Sequence, residues 1–177
     1  VVGVEGCVMA LDESAVDIDL NKRESFIKGS LVEEGSGSVN LSLSNGATWQ
    51  NYPSYSYFDG RVYDSIIFTE ADNSWHSKYT GLSNVSLSNG GKLDVAHDGT
   101  YDAWTINKLN GSGGIITIGT DLQNQKGDYI NILSTDTGGN HGIQVIDANW
   151  SNYSILTDPL KILTAPHSLS FYSVEME

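Results

Sequence analysis

The stretch Val39-Asn-Leu-Ser-Leu-Ser-Asn-Gly-Ala47 returns almost unchanged as Asn84-Val-Ser-Leu-Ser-Asn-Gly-Gly91. The first copy alternates with period two. Val39, Leu41 and Leu43 fall on one face and Asn40, Ser42 and Ser44 on the other, which makes a strand with one dry and one wet face. Both copies close on Asn-Gly, a pair that tolerates positive φ. Between alternating strands that pair usually marks an antiparallel hairpin. The spacing speaks against it. Asn45 and Asn89 are 44 positions apart, and Asn110-Gly111 follows 21 later. Those shifts fit two turns and one turn of a unit of about 22 residues. A meander would show turn signals every ~8–12 residues without long-period copies of the same text. A solenoid shows the same text once per coil. The expected fold is all-β, a right-handed parallel β-helix with three short sheets and under about a tenth helix.

Other strands are expected at Val62–Phe68, Val85–Leu87, Lys92–Val95, Ile115–Ile118, Tyr129–Leu133 and Ile143–Ile146. From Thr48 to Asp59 the pattern changes. Trp49, Tyr52, Tyr55, Tyr57 and Phe58 crowd around Pro53, and proline cannot occupy a central strand. This reads as a loop or bulge that projects from a coil near residues 48–59. It serves either as a contact surface or as a self-packed cover for the coil beneath. Two regions follow: stalk coils over 1–83, and C-terminal coils over 84–177.

Composition agrees with strand and turn. Charged residues make up 18% of the 177 residues, against about 25% in an ordinary soluble domain. Ser, Asn, Thr and Gly supply the polarity instead. Long helix-forming stretches at 3.6 spacing are absent. The net charge is −13, from 22 acidic and 9 basic residues. That balance excludes nucleic acid as a partner, since phosphate neutralisation needs clustered Lys and Arg. It also disfavours an anionic membrane surface. The acidity suits an elongated, exposed protein that must stay soluble. Cys7 is the one cysteine, so no intrachain disulfide forms, and its apolar surroundings suggest a buried thiol. No run reaches the roughly 18 apolar residues of a spanning helix, and no signal peptide is visible.

Leu43-Ser-Asn-Gly-Ala-Thr-Trp49 resembles the rung text of pertactin-like autotransporter passengers, which belong to type V secretion. The resemblance sharpens over 84–147. There Leu87-Ser-Asn-Gly-Gly91, Leu93, Tyr101 and Leu109-Asn-Gly-Ser-Gly-Gly114 lead to Gly119-Thr-Asp-Leu122, Gly127-Asp128, Ile130, Ile132, Gly139-Asn-His141 and Val145. This order is similar to the autochaperone stretch at the C-terminal end of such passengers. Asp147-Ala-Asn-Trp150 departs from it, standing where the family has a glycine-rich turn. The resemblance implies the cargo end of a longer chain whose own C-terminal membrane β-barrel is absent from this sequence. It also implies display at the Gram-negative outer membrane or release from the cell surface, and a role in virulence. In that family this region folds first and templates the coils above it. The apolar residues that would form the seed are Ile115, Ile116, Ile118, Leu122, Tyr129, Ile130, Ile132, Leu133, Ile143, Val145 and Ile146.

Catalytic signatures are weak. His76, His97, His141 and His167 show no zinc spacing, and one cysteine cannot build a structural zinc site. No G-x-S-x-G elbow occurs. His141 is expected to cap a turn. Asp17 and Asp19 share one strand face and are expected to be solvated carboxylates, and Asp94 and Asp98 form a second close pair. The glycine-rich turns lack the Lys-Ser/Thr of a phosphate loop, and Thr135–Gly142 does not reproduce a calcium-binding nonapeptide. No metal, cofactor or catalytic residue is expected. The leading reading is a non-catalytic stalk and folding seed of an adhesin that contacts host or neighbouring-cell ligands. One competitor is a mount for an upstream protease or esterase domain. The other is a carbohydrate-acting β-helix, which would show a groove lined by carboxylates and aromatics.

Overall fold

The structure is a computed structural model and describes residues 1–6, 8–29, 31–33, 35–51, 56–58, 61–63, 81–97, 101–148 and 159–175. In chain order the strands are β1 (Gly3–Glu5), β2 (Val8–Ala10), β3 (Ala15–Leu20), β4 (Phe26–Lys28), β5 (Leu31–Glu33), β6 (Ser38–Leu43), β7 (Thr48–Gln50), β8 (Ser56–Phe58) and β9 (Arg61–Tyr63). They continue as β10 (Gly81–Leu87), β11 (Lys92–Asp94), β12 (Ala103–Asn110), β13 (Ile115–Asp121), β14 (Lys126–Gly127), β15 (Tyr129–Ser134), β16 (Gly139–Asp147), β17 (Leu163–Thr164) and β18 (Leu169–Ser173). One 3-10 turn at Leu122–Asn124 is the only helical element among the described residues.

Two long parallel sheets face each other across a shared core. The first runs β1-β4-β7-β11-β13-β16-β18 and the second β3-β6-β10-β12-β15-β17. Together they form a parallel β-solenoid of about five turns. A third face carries only the parallel pair β2–β5 among the described residues. There the Glu33 carboxylate accepts from the backbone N–H groups of Val39 at 2.7 Å and Ser83 at 2.9 Å. It thereby ties one coil to the next.

The repeat unit holds at first. Gly3 pairs with Phe26 and Ala15 with Ser38, each 23 positions on. One expectation fails here. The copies at 39–47 and 84–91 sit on adjacent coils, not two turns apart: Asn40 pairs with Asn84 and Thr48 with Lys92. A single coil therefore contains the whole 44-residue shift. Within it lies the antiparallel ribbon β8–β9, inserted between β7 and β10. A repeat shift measures the distance between copies, and an insertion of one unit's length inside a coil gives the same shift as an extra coil. Later coils also lengthen. Ile115 pairs with Gly142, 27 positions on, and β14 folds back antiparallel on β13 within that turn.

The Asn-Gly corners turn the chain from one sheet into the other. Asn45 and Gly46 have φ of +54° and +81°, Asn89 and Gly90 have +48° and +77°. Ala47 N–H closes the first corner onto the Ser44 carbonyl at 3.0 Å, and Gly91 N–H closes the second onto Ser88 at 2.9 Å. A Cβ at Gly91 would stand 2.1 Å from the Leu43 carbonyl oxygen, so the stacked corner requires glycine. The third Asn-Gly does not join this column. Asn110 pairs with Ser86, and Ser112-Gly113 lies beside Asn89-Gly90.

Inside, Val39, Leu41, Leu43, Val85, Leu87, Leu109, Ile130 and Ile132 from the second sheet meet Ile27, Trp49, Leu93, Ile116 and Ile118 from the first, all buried. Trp49 and Trp104 pack edge to face across the core, with centroids 5.6 Å apart at 76°. The Trp49 indole N–H donates to the Gly29 carbonyl at 2.9 Å. Trp49 is thus a core residue at 0% exposure, not part of a contact surface. Strand register explains this, because Trp49 pairs with Ile27 and Leu93 on the dry face. Tyr57 and Phe58 lie in β8, while Tyr52 and Tyr55 lie outside the described residues, as do Cys7, His76 and Asp98.

The expected folding core is corrected at several positions. Ile116, Ile118, Ile130 and Ile132 are buried. Leu133 is 56% exposed because it has the opposite parity to Ile130 and Ile132. Ile115 is half-buried for the same reason against Ile116 and Ile118. Val145 pairs with Ile118, yet it is 37% exposed, because the pairing of β16 with β18 ends at Ile143. Leu122, Tyr129, Ile143 and Ile146 are half-buried.

Burial is uneven along the axis. All three residues of β1 are exposed and β3 alternates exposed with half-buried positions, whereas β13 is buried over Ile116–Thr120. Local opening free energy follows such burial. Hydrogen exchange should therefore be slower at Ile116–Ile118 and Ile130–Ile132 than at Gly3–Glu5 and Ala15–Ile18. Uniform protection along the axis contradicts this gradient.

Candidate functional site

Period-two alternation puts every second residue of the second sheet on its outer face. In register, Asp17, Asn40 and Asn84 form one row, and Asp19, Ser42 and Ser86 the next. The first row is hydrogen-bonded along its length. Asn40 Nδ2 donates to Asp17 Oδ1 at 2.6 Å, and Asn84 Nδ2 donates to Asn40 Oδ1 at 2.7 Å. These rows line a groove of about 300 Å³ that reaches Asn110. Beyond it, Lys108 Nζ meets the Asp136 carboxylate at 3.0 Å, and Asn110 Nδ2 donates to it at 3.3 Å. Both bonds hold Asp136 below the usual carboxylate range, the Lys108 contact most. Asp17 and Asp19 both face outward and are exposed, as their spacing requires. Among the described residues no aromatic side chain lines the groove.

The outer face of the first sheet is more densely bonded. Lys92 Nζ and Thr117 Oγ1 both donate to Gln144 Oε1 at 3.3 Å. Asp94 is buried and accepts from Ala96 N–H at 3.1 Å, with His97 Nδ1 at 3.0 Å. Asp128 is buried and accepts from the backbone N–H of Gly119 at 2.7 Å and of Asp102 at 3.0 Å. Asp147 accepts from Thr120 Oγ1 at 2.7 Å and Leu122 N–H at 2.9 Å. These carboxylates staple loops to coils, as buried carboxylates accepting backbone N–H groups do. Tyr101 lies beside them. Burial raises its phenol above the ordinary value, and the negative charges of Asp121, Asp147 and Asp128 add to the shift. Among the described residues no group of three or more His, Cys, Asp or Glu side chains could hold a metal ion.

His141 is the residue whose environment the sequence signalled least. It is 0% exposed and stacks at 6.2 Å and 35° on Phe171 of the next coil. Neither ring nitrogen makes a hydrogen bond of good geometry. Burial lowers its pKa, and the Gly111 carbonyl opposes that only in part. It does not cap a turn; it is a neutral filler between coils. Trp104 was likewise missed. Its parity with Ile106 on β12 was the available signal, and its Nε1 has no partner among the described residues.

Comparison of the chain with protein-family models, with curated proteins and with solved structures finds no match. The outer groove and the stapled loops therefore rest on geometry alone.

A histidine whose folded pKa lies below its unfolded value of 6.5 disfavours the charged form in the fold. Its contribution is fully present above that value and is lost as the pH falls from there toward the depressed folded pKa. The unfolding midpoint in urea should thus decline as pH falls below 6.5. His141→Phe should flatten that part of the decline. An unchanged profile in the variant contradicts a buried neutral imidazole.

Proposed function

We propose that this chain is a non-catalytic β-helical stalk, and that its coils over 84–177 seed the folding of a longer passenger displayed at a Gram-negative cell surface as part of an adhesin. The observation that carries the reading is the continuity of in-register pairing. Pairs run from β6 to β10, β12 and β15, and from β7 to β11, β13 and β16. Each coil thus offers its neighbour a ready template of backbone groups. The buried residues of β12, β13 and β15 give that template a packed base. Nucleation is the costly step in a one-dimensional array, and propagation on a formed coil is cheap. In this reading the partners are the passenger's own membrane β-barrel and ligands on host or neighbouring cells. The groove favours this over hydrolysis: its two carboxylates come from one strand, whereas glycoside cleavage wants an acid on either side of the bond.

The test uses two substitutions on one strand. Ile132→Asp puts an unpaired carboxylate in the core, at a cost of several kcal/mol, comparable with a whole domain's stability. Leu133→Asp puts the same carboxylate on the exposed face and should cost under ~0.5 kcal/mol. Both are displayed in the full-length protein and probed by limited proteolysis at the cell surface. Ile132→Asp should leave even the upstream coils protease-sensitive, while Leu133→Asp remains resistant. Normal resistance of upstream coils in Ile132→Asp removes the seeding role.

A further inference from the structure

We infer that the groove on the outer face of the second sheet binds a neutral polyhydroxyl chain, a linear oligosaccharide laid across β3, β6 and β10. The inference does not depend on the stalk reading, since the groove belongs to these coils whatever they are attached to.

Its two rows have different states. Asn84, Asn40 and Asp17 bond to one another, which fixes their orientation. Asp19, Ser42 and Ser86 have no partner among the described residues, so their donors and acceptors are unspent. Neighbouring strands stand about 4.8 Å apart. A chain lying across them meets one unspent polar group per strand, beside a second row already held in place. The bonded row is thus fixed in place along a shallow groove, beside a row of groups free to bond a ligand.

The charge selects the ligand. Among the described residues no Lys or Arg lines the groove, and the chain carries −13 overall, so an anionic chain is repelled. Asp17 and Asp19 accept strongly from hydroxyl donors. A peptide fits less well. β6 and β10 are paired on both sides and present no free backbone edge for strand addition. Nor do the described residues of the groove include an aromatic platform for a side chain. The same lack of aromatics keeps the affinity for sugar low.

The experiment is an NMR titration of the whole chain with maltohexaose, cellohexaose and mannohexaose separately, and with hexagalacturonate and hexalysine. At least one neutral hexasaccharide should shift the amides of Asp17–Asp19, Asn40–Ser42 and Asn84–Ser86, with a dissociation constant of about 1 mM. The double variant Ser42→Ala with Ser86→Ala should bind about tenfold more weakly, with the remaining spectrum unchanged. Should that variant not fold, Asp19→Leu, at an exposed position, serves as the second test and should weaken binding about as much. Any of four results overturns the inference: no response to the three neutral sugars, hexagalacturonate binding as tightly as they do, a response at these amides to hexalysine alone, or folded variants that bind as wild type.

Discussion

In-register parallel pairing carries backbone hydrogen bonds from each coil to the next, and it fixes where every side chain points. Val85 pairs with Leu41 and Leu41 with Ile18, so apolar side chains stack on the dry face. The same register stacks Asn84 on Asn40 and Asn40 on Asp17 outside. Dry column and polar ladder are two consequences of one constraint. The corners must obey it too. Gly91 approaches the Leu43 carbonyl so closely that no side chain fits. A substitution there would push two coils apart and disturb the pairing on both sides of the turn.

Much of this was legible in the residues. Period-two alternation in Val39–Leu43 gave the dry face, and the recurring Asn-Gly text gave a solenoid where a local rule would give a hairpin. The parity of Ile130 and Ile132 placed them in the core. The same parity should have removed Leu133, but a dense apolar run conceals which residues face inward. Coil count was not legible, because an insertion and an extra coil lengthen the chain alike. Trp49 stands next to an aromatic, proline-containing segment and reads as part of it in sequence, although its register with Ile27 and Leu93 belongs to the core. The environment of His141 was invisible for another reason. It depends on Phe171, which lies 30 residues later, and on a coil length that no motif announced.

The chemistry of the surface follows from the fold. Carboxylates such as the buried Asp128 and the half-buried Asp147 are committed to backbone N–H groups, and they hold the long excursions of the later coils against the sheet. Their role is mechanical. On the outer face of the second sheet Asp19, Ser42 and Ser86 stand in register without side-chain partners among the described residues. The bonded row of Asp17, Asn40 and Asn84 adds side-chain hydrogen bonds between neighbouring coils on that face.

The two copies of the repeat lie on touching coils, with the inserted ribbon held inside one turn. Nuclear Overhauser contacts between backbone protons of β6 and β10 test it most directly. Contacts are expected at the register Leu41 with Val85 and Leu43 with Leu87. Absence of those contacts, with β6 and β10 each contacting an intervening strand from residues 52–80, would contradict it.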